Sequence, residues 1–281
     1  MRSHIDELLD LINSARYCVA FTGAGVSTLS GIPDFRGTYP SELLRRFSPG
    51  VLDLYLAGLE DLVPDKTEQG LYFPEKVFDS ARFEENPAFF YRAAGPLIYG
   101  TVRTAEPSLV HRVLAELENR GLLRALVTQN IDMLHQKAGS RRVIEFHGSP
   151  AIHYCLRCPG IRLDYNKAAA IVEAGEVPRC PACGGALKPR ITFYGETLPL
   201  EARRAAMEEA QAADVMLVLG TSLTVHPAVE LPRMVLRRGG RVVIVNRQDT
   251  ALDENAALRF RELEDTFDGL EKLLVQSKAS R

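Results

Sequence analysis

At 281 residues the chain is long enough for one large domain, or for one large and one small domain. Its 34 basic and 36 acidic residues leave a formal net charge of -2, which removes any global electrostatic pull toward nucleic acid or an anionic membrane. The start, MRSHIDELLDLINSA, is amphipathic and acidic rather than a secretory signal or transit peptide, and no apolar run approaches the roughly 20 residues that cross a bilayer, so a soluble, cytoplasmic protein with reduced thiols is expected.

In chain order, the first expected strand is YCVAF at 17 to 21, which feeds Gly23-Ala24-Gly25. That is how a strand enters a turn whose backbone N–H groups hold a pyrophosphate. A hydride-transfer fold would pass straight into a helix; here Gly31, Pro33, Asp34, Phe35 and Arg36 follow instead. From Thr38 to Glu106 the chain reads as helical and loop-rich, and Leu52, Leu56 and Leu59 have the spacing of a short amphipathic helix. A helix is expected over 107 to 121, then strands LRALVTQ (123 to 129) and RVIEF (142 to 146). A cysteine-bearing interruption runs from Gly148 to Arg190. Beyond it come a helix over 201 to 214, strand VMLVLG (215 to 220), a helix over 226 to 240 and strand RVVIVN (241 to 246). Most of these strands are short, continuously apolar and β-branched, which suits a parallel sheet buried on both faces. Alternation with helices gives an α/β fold, a doubly wound parallel sheet of Rossmann-like type, and the two interruptions read as a smaller inserted domain, helical in one part and cysteine-bearing in the other.

The interruption holds Cys155-Leu-Arg-Cys158 and, 21 residues later, Cys180-Pro-Ala-Cys183-Gly-Gly. Each knuckle offers two sulfurs from one tight turn, so the pair satisfies tetrahedral thiolate coordination of Zn²⁺. A disulfide pair is unusual in a reduced compartment, and a redox CxxC needs no second copy. With all four positions cysteine there is no open site for water, and the one zinc is structural. Cys18, inside the first strand, reads as an ordinary buried cysteine.

Three more segments lie at the carboxyl ends of expected strands, where ligands bind an open α/β sheet. They are Thr128-Gln129-Asn130-Ile131-Asp132, Phe146-His147-Gly148-Ser149 and Gly220-Thr221-Ser222. Singly, Asp132 reads as a helix N-cap, His147 as a polar strand end and Gly220 as a turn residue. Together with the opening loop they converge on one crevice.

The stretches GAGVSTLSGIPDFRG, TQNID..H..AG, FHGS, the four-cysteine module, GTSL and VIVN occur here in the order found in the sirtuins, the NAD-dependent protein lysine deacylases, and the chain resembles a bacterial or archaeal member. The resemblance covers nearly the whole chain apart from an extended segment after Gly37, about thirty residues longer than in compact relatives. It implies that NAD is a co-substrate whose ribose–nicotinamide bond breaks as the acyl-lysine oxygen attacks. Asn130 and Asp132 would hold the nicotinamide carboxamide within the cofactor-binding stretch Gln129 to Asp132, and the Ile32, Pro33 and Asp34 backbone would line the same pocket. Phe35 would shield the ribose carbon, and Arg36 and Ser27 would belong to the ribose and phosphate environment. His147 would be the general base. Gly23, Ala24, Gly25, Gly220, Thr221 and Ser222 would face the phosphates and adjoining ribose, and Asn246 the adenosine end.

The resemblance further implies that an acyl-lysine protein or peptide pairs by β-augmentation with Ile191, Thr192, Phe193, Tyr194, Gly195 and Glu196. Thr192 replaces a usual valine and Tyr194 a frequent phenylalanine. Relatives that prefer succinyl groups carry a tyrosine and an arginine on the helix after the cofactor loop. Here Ala93 and Gly95 or Pro96 stand at those places, so weak desuccinylation is expected. The implied division is 1–37, 107–147 and 191–281 for NAD binding, 38–106 for a helical cofactor-loop module and 148–190 for zinc. His111 and His135 read as structural, and the complete cysteine set makes His153 unnecessary as a ligand. Mono-ADP-ribosyl transfer and NAD glycohydrolysis are the alternatives within NAD chemistry; a non-catalytic zinc-containing binding module is a more distant one. Neither a membrane nor a nucleic acid is an expected partner.

Overall fold

The computed structural model describes residues 3–32 and 77–279. Pro33, Asp34, Phe35, Arg36 and the expected helix around Leu52, Leu56 and Leu59 lie outside the described residues. Among the described residues no helix is long and apolar enough to cross a membrane. The strands are β1 (Cys18–Thr22), β2 (Ala125–Thr128), β3 (Val143–Glu145), β4 (Gly148–Cys155), β5 (Arg162–Asp164), β6 (Leu187–Ile191), β7 (Val215–Leu219), β8 (Arg241–Val245) and β9 (Leu258–Phe260). The chain forms two compact units: Met1–Ser30 with Glu106–His147 and Pro199–Arg281, and Gly31–Ala105 with Gly148–Leu198.

The first unit is built on a parallel sheet of order β3-β2-β1-β7-β8-β9. Every residue of β1, β2 and β7 is buried, which is why their sequences run apolar without alternation. Helices His4–Ser14, Leu109–Asn119 and Leu263–Ala279 contribute Leu8, Ile12, Val113, Leu117, Phe267 and Leu270 to a core shared with Ala20, Leu126 and Leu217. Each of the first two helices begins at a serine. The Ser3 hydroxyl accepts Asp6 N–H while Asp6 accepts Ser3 N–H, and Ser108 N–H donates to His111 Nδ1 at 3.1 Å. Strand order runs outward from β1 in one direction and from β7 in the other, so the switch point of the topology lies between them.

The helix expected over 226 to 240 is shorter, Glu230–Arg237. Pro227 has no N–H to continue a ladder, Pro232 is tolerated because it falls in the first turn, and Gly239 leaves the helix at φ +78°. Strand β9 and helix Leu263–Ala279 follow β8 without having been expected; β9 is three half-buried residues at the sheet edge, too short for a periodic signal.

The second unit carries an antiparallel sheet, β5-β4-β6. Asn86 caps helix Pro87–Gly95 by accepting Phe89 N–H at 3.1 Å, with proline at the first helical position. That helix runs into a π-helical turn, Pro96–Thr101, whose Ile98 carbonyl accepts the Tyr165 hydroxyl at 2.5 Å. Phe78, Phe83, Phe90 and Phe193 form an aromatic core with centroids 5.0 to 5.7 Å apart. The Tyr91 hydroxyl donates to Leu187 O in β6, and Tyr99 meets His153 Nε2 at 2.5 Å. His153 is therefore a buried packing residue of β4, held by Tyr99.

Candidate active site

In the first unit the turn after β1 is stitched to the end of β7. Gly23 N–H donates to Leu219 O and Gly25 N–H to Gly220 O, both at 2.9 Å. A Cβ on Gly23 would sit 2.7 Å from Thr221 Cβ, one on Gly25 2.7 Å from Gly220 Cα, and one on Gly220, at φ +60°, 2.6 Å from Val26 N. These glycines thus exist for backbone-to-backbone approach, and the N–H groups of Gly23 and Gly25 are already engaged. Among the described residues the N–H groups of Ala24, Thr221 and Ser222 make no hydrogen bond, which leaves them for a ligand's oxygens.

Behind this turn Asn130 Nδ2 donates to Gly23 O at 3.0 Å and to Ser27 Oγ at 2.9 Å, while Ser27 Oγ donates to Asp132 Oδ2 at 2.6 Å. The other Asp132 oxygen accepts Leu134 N–H at 2.9 Å, a local turn bond just ahead of the helix Leu134–Lys137, whose N-cap is Met133. Burial lifts the Asp132 carboxyl above its ordinary range, and the bonds from Ser27 and Leu134 oppose that shift. Ser27 was expected beside ribose and phosphate; its hydroxyl is occupied joining Asn130 to Asp132. Gln129 Nε2 donates to Thr221 Oγ1 at 2.9 Å, tying the end of β2 to the end of β7.

His147 closes this unit one residue beyond Phe146, whose N–H still pairs with Thr128 O at 2.8 Å. Its Nδ1 lies 3.0 Å from Gln129 O. A carbonyl can only accept, so Nδ1 carries the proton and the lone pair resides on Nε2. Burial lowers the pKa of this ring below its ordinary 6.5, with the Gln129 bond opposing. The result is a neutral imidazole oriented as a base. Asn246 follows β8; it donates N–H to Phe260 O and Nδ2 to Gln248 O, which leaves Oδ1 open.

A buried polar chain lies behind these groups and was not foreseen as a unit. Thr22 Oγ1 contacts Thr128 Oγ1 at 2.9 Å and His135 Nε2 at 3.0 Å, and the Thr128 hydroxyl accepts Asn130 N–H. His111 lies 4.5 Å ring to ring from His135, and its Nδ1 stands 2.7 Å from Ser108 Oγ, whose single proton is shared between that nitrogen and Val26 O. Thr22 and Thr128 are strand-end threonines at one register position, the only hint the sequence carries.

In the second unit Cys155, Cys158, Cys180 and Cys183 bring their Sγ atoms within 4.8 Å of one another. Four thiols at that separation, from two knuckles, fit one tetrahedral Zn²⁺. In FHGS the glycine has its own reason: Gly148 adopts φ +74°, and a Cβ there would lie 2.1 Å from Arg190 O on the paired strand. The stretch after β6 is also partly spent internally. Tyr194 N–H donates to Phe78 O and Ser80 N–H to Tyr194 O, while Phe193 N–H donates to Glu196 Oε2 at 2.7 Å. Among the described residues Thr192 and Gly195 keep N–H and C=O free of hydrogen bonds. Glu196, expected at the peptide, turns its carboxylate inward.

A parallel sheet with polar side chains gathered at its switch point belongs to the class of α/β proteins that take a nucleotide at the carboxyl ends of their strands. The Sir2 family model matches residues 58–227. The NAD-dependent protein deacetylase of Thermotoga maritima is 41% identical over 254 residues, covering 90% of this chain and 91% of the relative. A solved structure described as Sir2-p53 peptide-NAD+ aligns with TM-score 0.78 at 37% identity, covering 99% of this chain and 100% of its own. Another, Sir2Tm bound to a propionylated peptide, aligns with TM-score 0.76 at 36% identity over 98% and 99%. The chain belongs to the Sir2 family.

Proposed function

We propose that this chain is an NAD-dependent protein lysine deacylase, releasing nicotinamide and O-acyl-ADP-ribose. One observation carries the reading: Gln129 O fixes the tautomer of His147, so that a neutral Nε2 stands ready at the strand ends. The acyl-lysine carbonyl oxygen attacks the ribose carbon as the bond to nicotinamide breaks; His147 takes the proton of a ribose hydroxyl, whose oxygen adds to the acyl carbon, the lysine amine departs with a proton, and one water completes O-acyl-ADP-ribose. Asn130 and Asp132 hold the carboxamide. The Ala24, Thr221 and Ser222 N–H groups serve the phosphates, with Asn246 toward the adenosine.

The first unit then binds NAD and the second presents the acyl-lysine peptide, through the free peptide groups of Thr192 and Gly195. Zinc, when bound, supplies a four-thiolate cross-link and no chemistry. Ala93 is fully buried on helix Pro87–Gly95 and brings no charge to meet a succinyl carboxylate, so desuccinylation is weak, and longer neutral acyl chains are accepted. Rates on acetyl-, butyryl- and longer acyl-lysine peptides that fall steeply with length would count against the second clause.

The test is incubation with NAD and an acetyl-lysine peptide, following nicotinamide and peptide mass together, beside His147→Ala. Loss of the acetyl mass in step with nicotinamide is expected. Peptide-independent nicotinamide release would mean a glycohydrolase, a mass gain on the peptide would mean ADP-ribosyl transfer, and no release at all would sink the NAD chemistry.

A further inference from the structure

Lys188 occupies β6 between Leu187 and Pro189 with its side chain 1% exposed, a costly place for an ammonium unless its protons are all taken up. Its Nζ donates to Ile191 O at 2.6 Å and to Glu196 Oε2 at 3.0 Å, and lies 3.7 Å from the centroid of the Phe193 ring. The same Glu196 oxygen accepts Phe193 N–H. Pro189 O at 3.5 Å and the Tyr154 ring at 5.9 Å are more distant neighbours; the closest partners all fall within residues 191–196. Drawing residues 191, 193 and 196 onto one buried charge forces the residues between them outward. The burial pattern follows: Ile191 and Phe193 are buried, Thr192 is half-buried, and Tyr194 and Gly195 are exposed. Phe193 is held from its other side by Phe78, Phe83 and Phe90.

We propose that Lys188 is a positioning residue for acyl-peptide binding. It touches no substrate; it holds Ile191–Glu196 in the arch that offers the Thr192 and Gly195 peptide groups to an incoming strand. The inference rests on the reading of this segment as the peptide-pairing strand, and it gives a buried charge pair a task beyond packing.

The experiment compares Michaelis constants for NAD and for an acetyl-lysine peptide in the zinc-loaded whole chain and in Lys188→Met, Lys188→Arg, Glu196→Gln and the Met/Gln double variant. Lys188→Met is expected to raise the peptide KM about tenfold or more while the NAD KM stays within about twofold. Lys188→Arg should recover most of the loss, Glu196→Gln should shift the peptide KM in the same direction, and the double variant should be no worse than the worse single one, because the two side chains act as a unit. An unchanged peptide KM, or equal losses for peptide and NAD, overturns the proposal. Should Lys188→Met fail to fold, Glu196→Gln decides by the same criterion. Should the unaltered chain release no nicotinamide, the deacylase reading fails separately, and fluorescence anisotropy of a labelled acetyl-lysine peptide decides for Lys188: binding equal in both charge-pair variants and the parent overturns it.

Discussion

Ser27 Oγ stands 2.6 Å from Asp132 Oδ2 and 2.9 Å from Asn130 Nδ2, so a single hydroxyl donates to one of the residues assigned to the nicotinamide carboxamide and accepts from the other. Its one proton goes to the carboxylate, which obliges the Asn130 amide to point nitrogen-first toward Ser27 and Gly23 O. Ser27→Ala removes both constraints and leaves a 6% exposed carboxylate with one bond fewer. The expected cost is about 1–3 kcal/mol of stability, together with a raised KM for NAD. Urea denaturation and steady-state kinetics on the variant check the two halves; an unchanged NAD KM would show that the hydroxyl only braces the fold.

As the proposed general base, His147 must be neutral. Because burial lowers its pKa below 6.5, the protonated, inactive form accumulates only at more acidic pH than an exposed histidine would require. The acid limb of kcat/KM is therefore expected to have its midpoint below pH 6.5, with a plateau through neutrality. His147→Ala should cost about 10²- to 10⁴-fold in kcat while zinc content stays unchanged. A midpoint at or above neutrality would contradict the lowering of its pKa by burial.

Strands β1, β2, β7 and β8 were legible because strands buried on both faces leave continuous apolar runs, and the cysteine knuckles because ligand spacing is local. What escaped the sequence depends on partners far away. The Ser27 hydroxyl meets a carboxylate 105 residues downstream, a contact that no local pattern announces and that the resemblance, which set Ser27 beside ribose and phosphate, did not include. Strand β6, LKPRI, contains a lysine and a proline that argue against a buried strand. It is buried because the Glu196 carboxylate offsets the lysine's charge and the Ile191 carbonyl accepts one of its protons. Strand β4 has no period either: its middle residues Ala151 and Ile152 are exposed where its register with β6 shifts.

His111 and His135 are almost wholly buried, and among the described residues His111 Nε2 and His135 Nδ1 have no hydrogen-bond partner. Burial brings His111 down to about 4 and His135 well below its ordinary value; in the other unit His153 is also brought to about 4. Each binds its proton less tightly folded than unfolded, so between about pH 4 and 6.5 the unfolded chain holds more protons. Their full contribution is present above pH 6.5 and declines as pH falls, by about 3 kcal/mol for His111 alone. Unfolding free energies from urea titrations at about pH 7 and about pH 5 should differ in that direction, and equal values would mean these rings are solvated.

Removal of zinc should act on one unit only. Around the thiols the apolar cluster is small, Cys155, Cys180 and Leu187 with Cys158, Ile161 and Leu163 beside them, too little buried surface to hold two knuckles without a metal. The six-stranded sheet has its own core and draws on none of these residues. A chelator strong enough to strip the ion is therefore expected to release hydrogen-exchange protection across β4, β5 and β6 while β1, β2 and β7 keep theirs. Strand β6 leads directly into the segment beginning at Thr192, so deacylation should be lost along with that protection and return when Zn²⁺ is added back. Any nicotinamide release that needs no peptide should survive the treatment. Uniform loss of protection in both sheets would mean that the metal stabilises the whole chain rather than its own module.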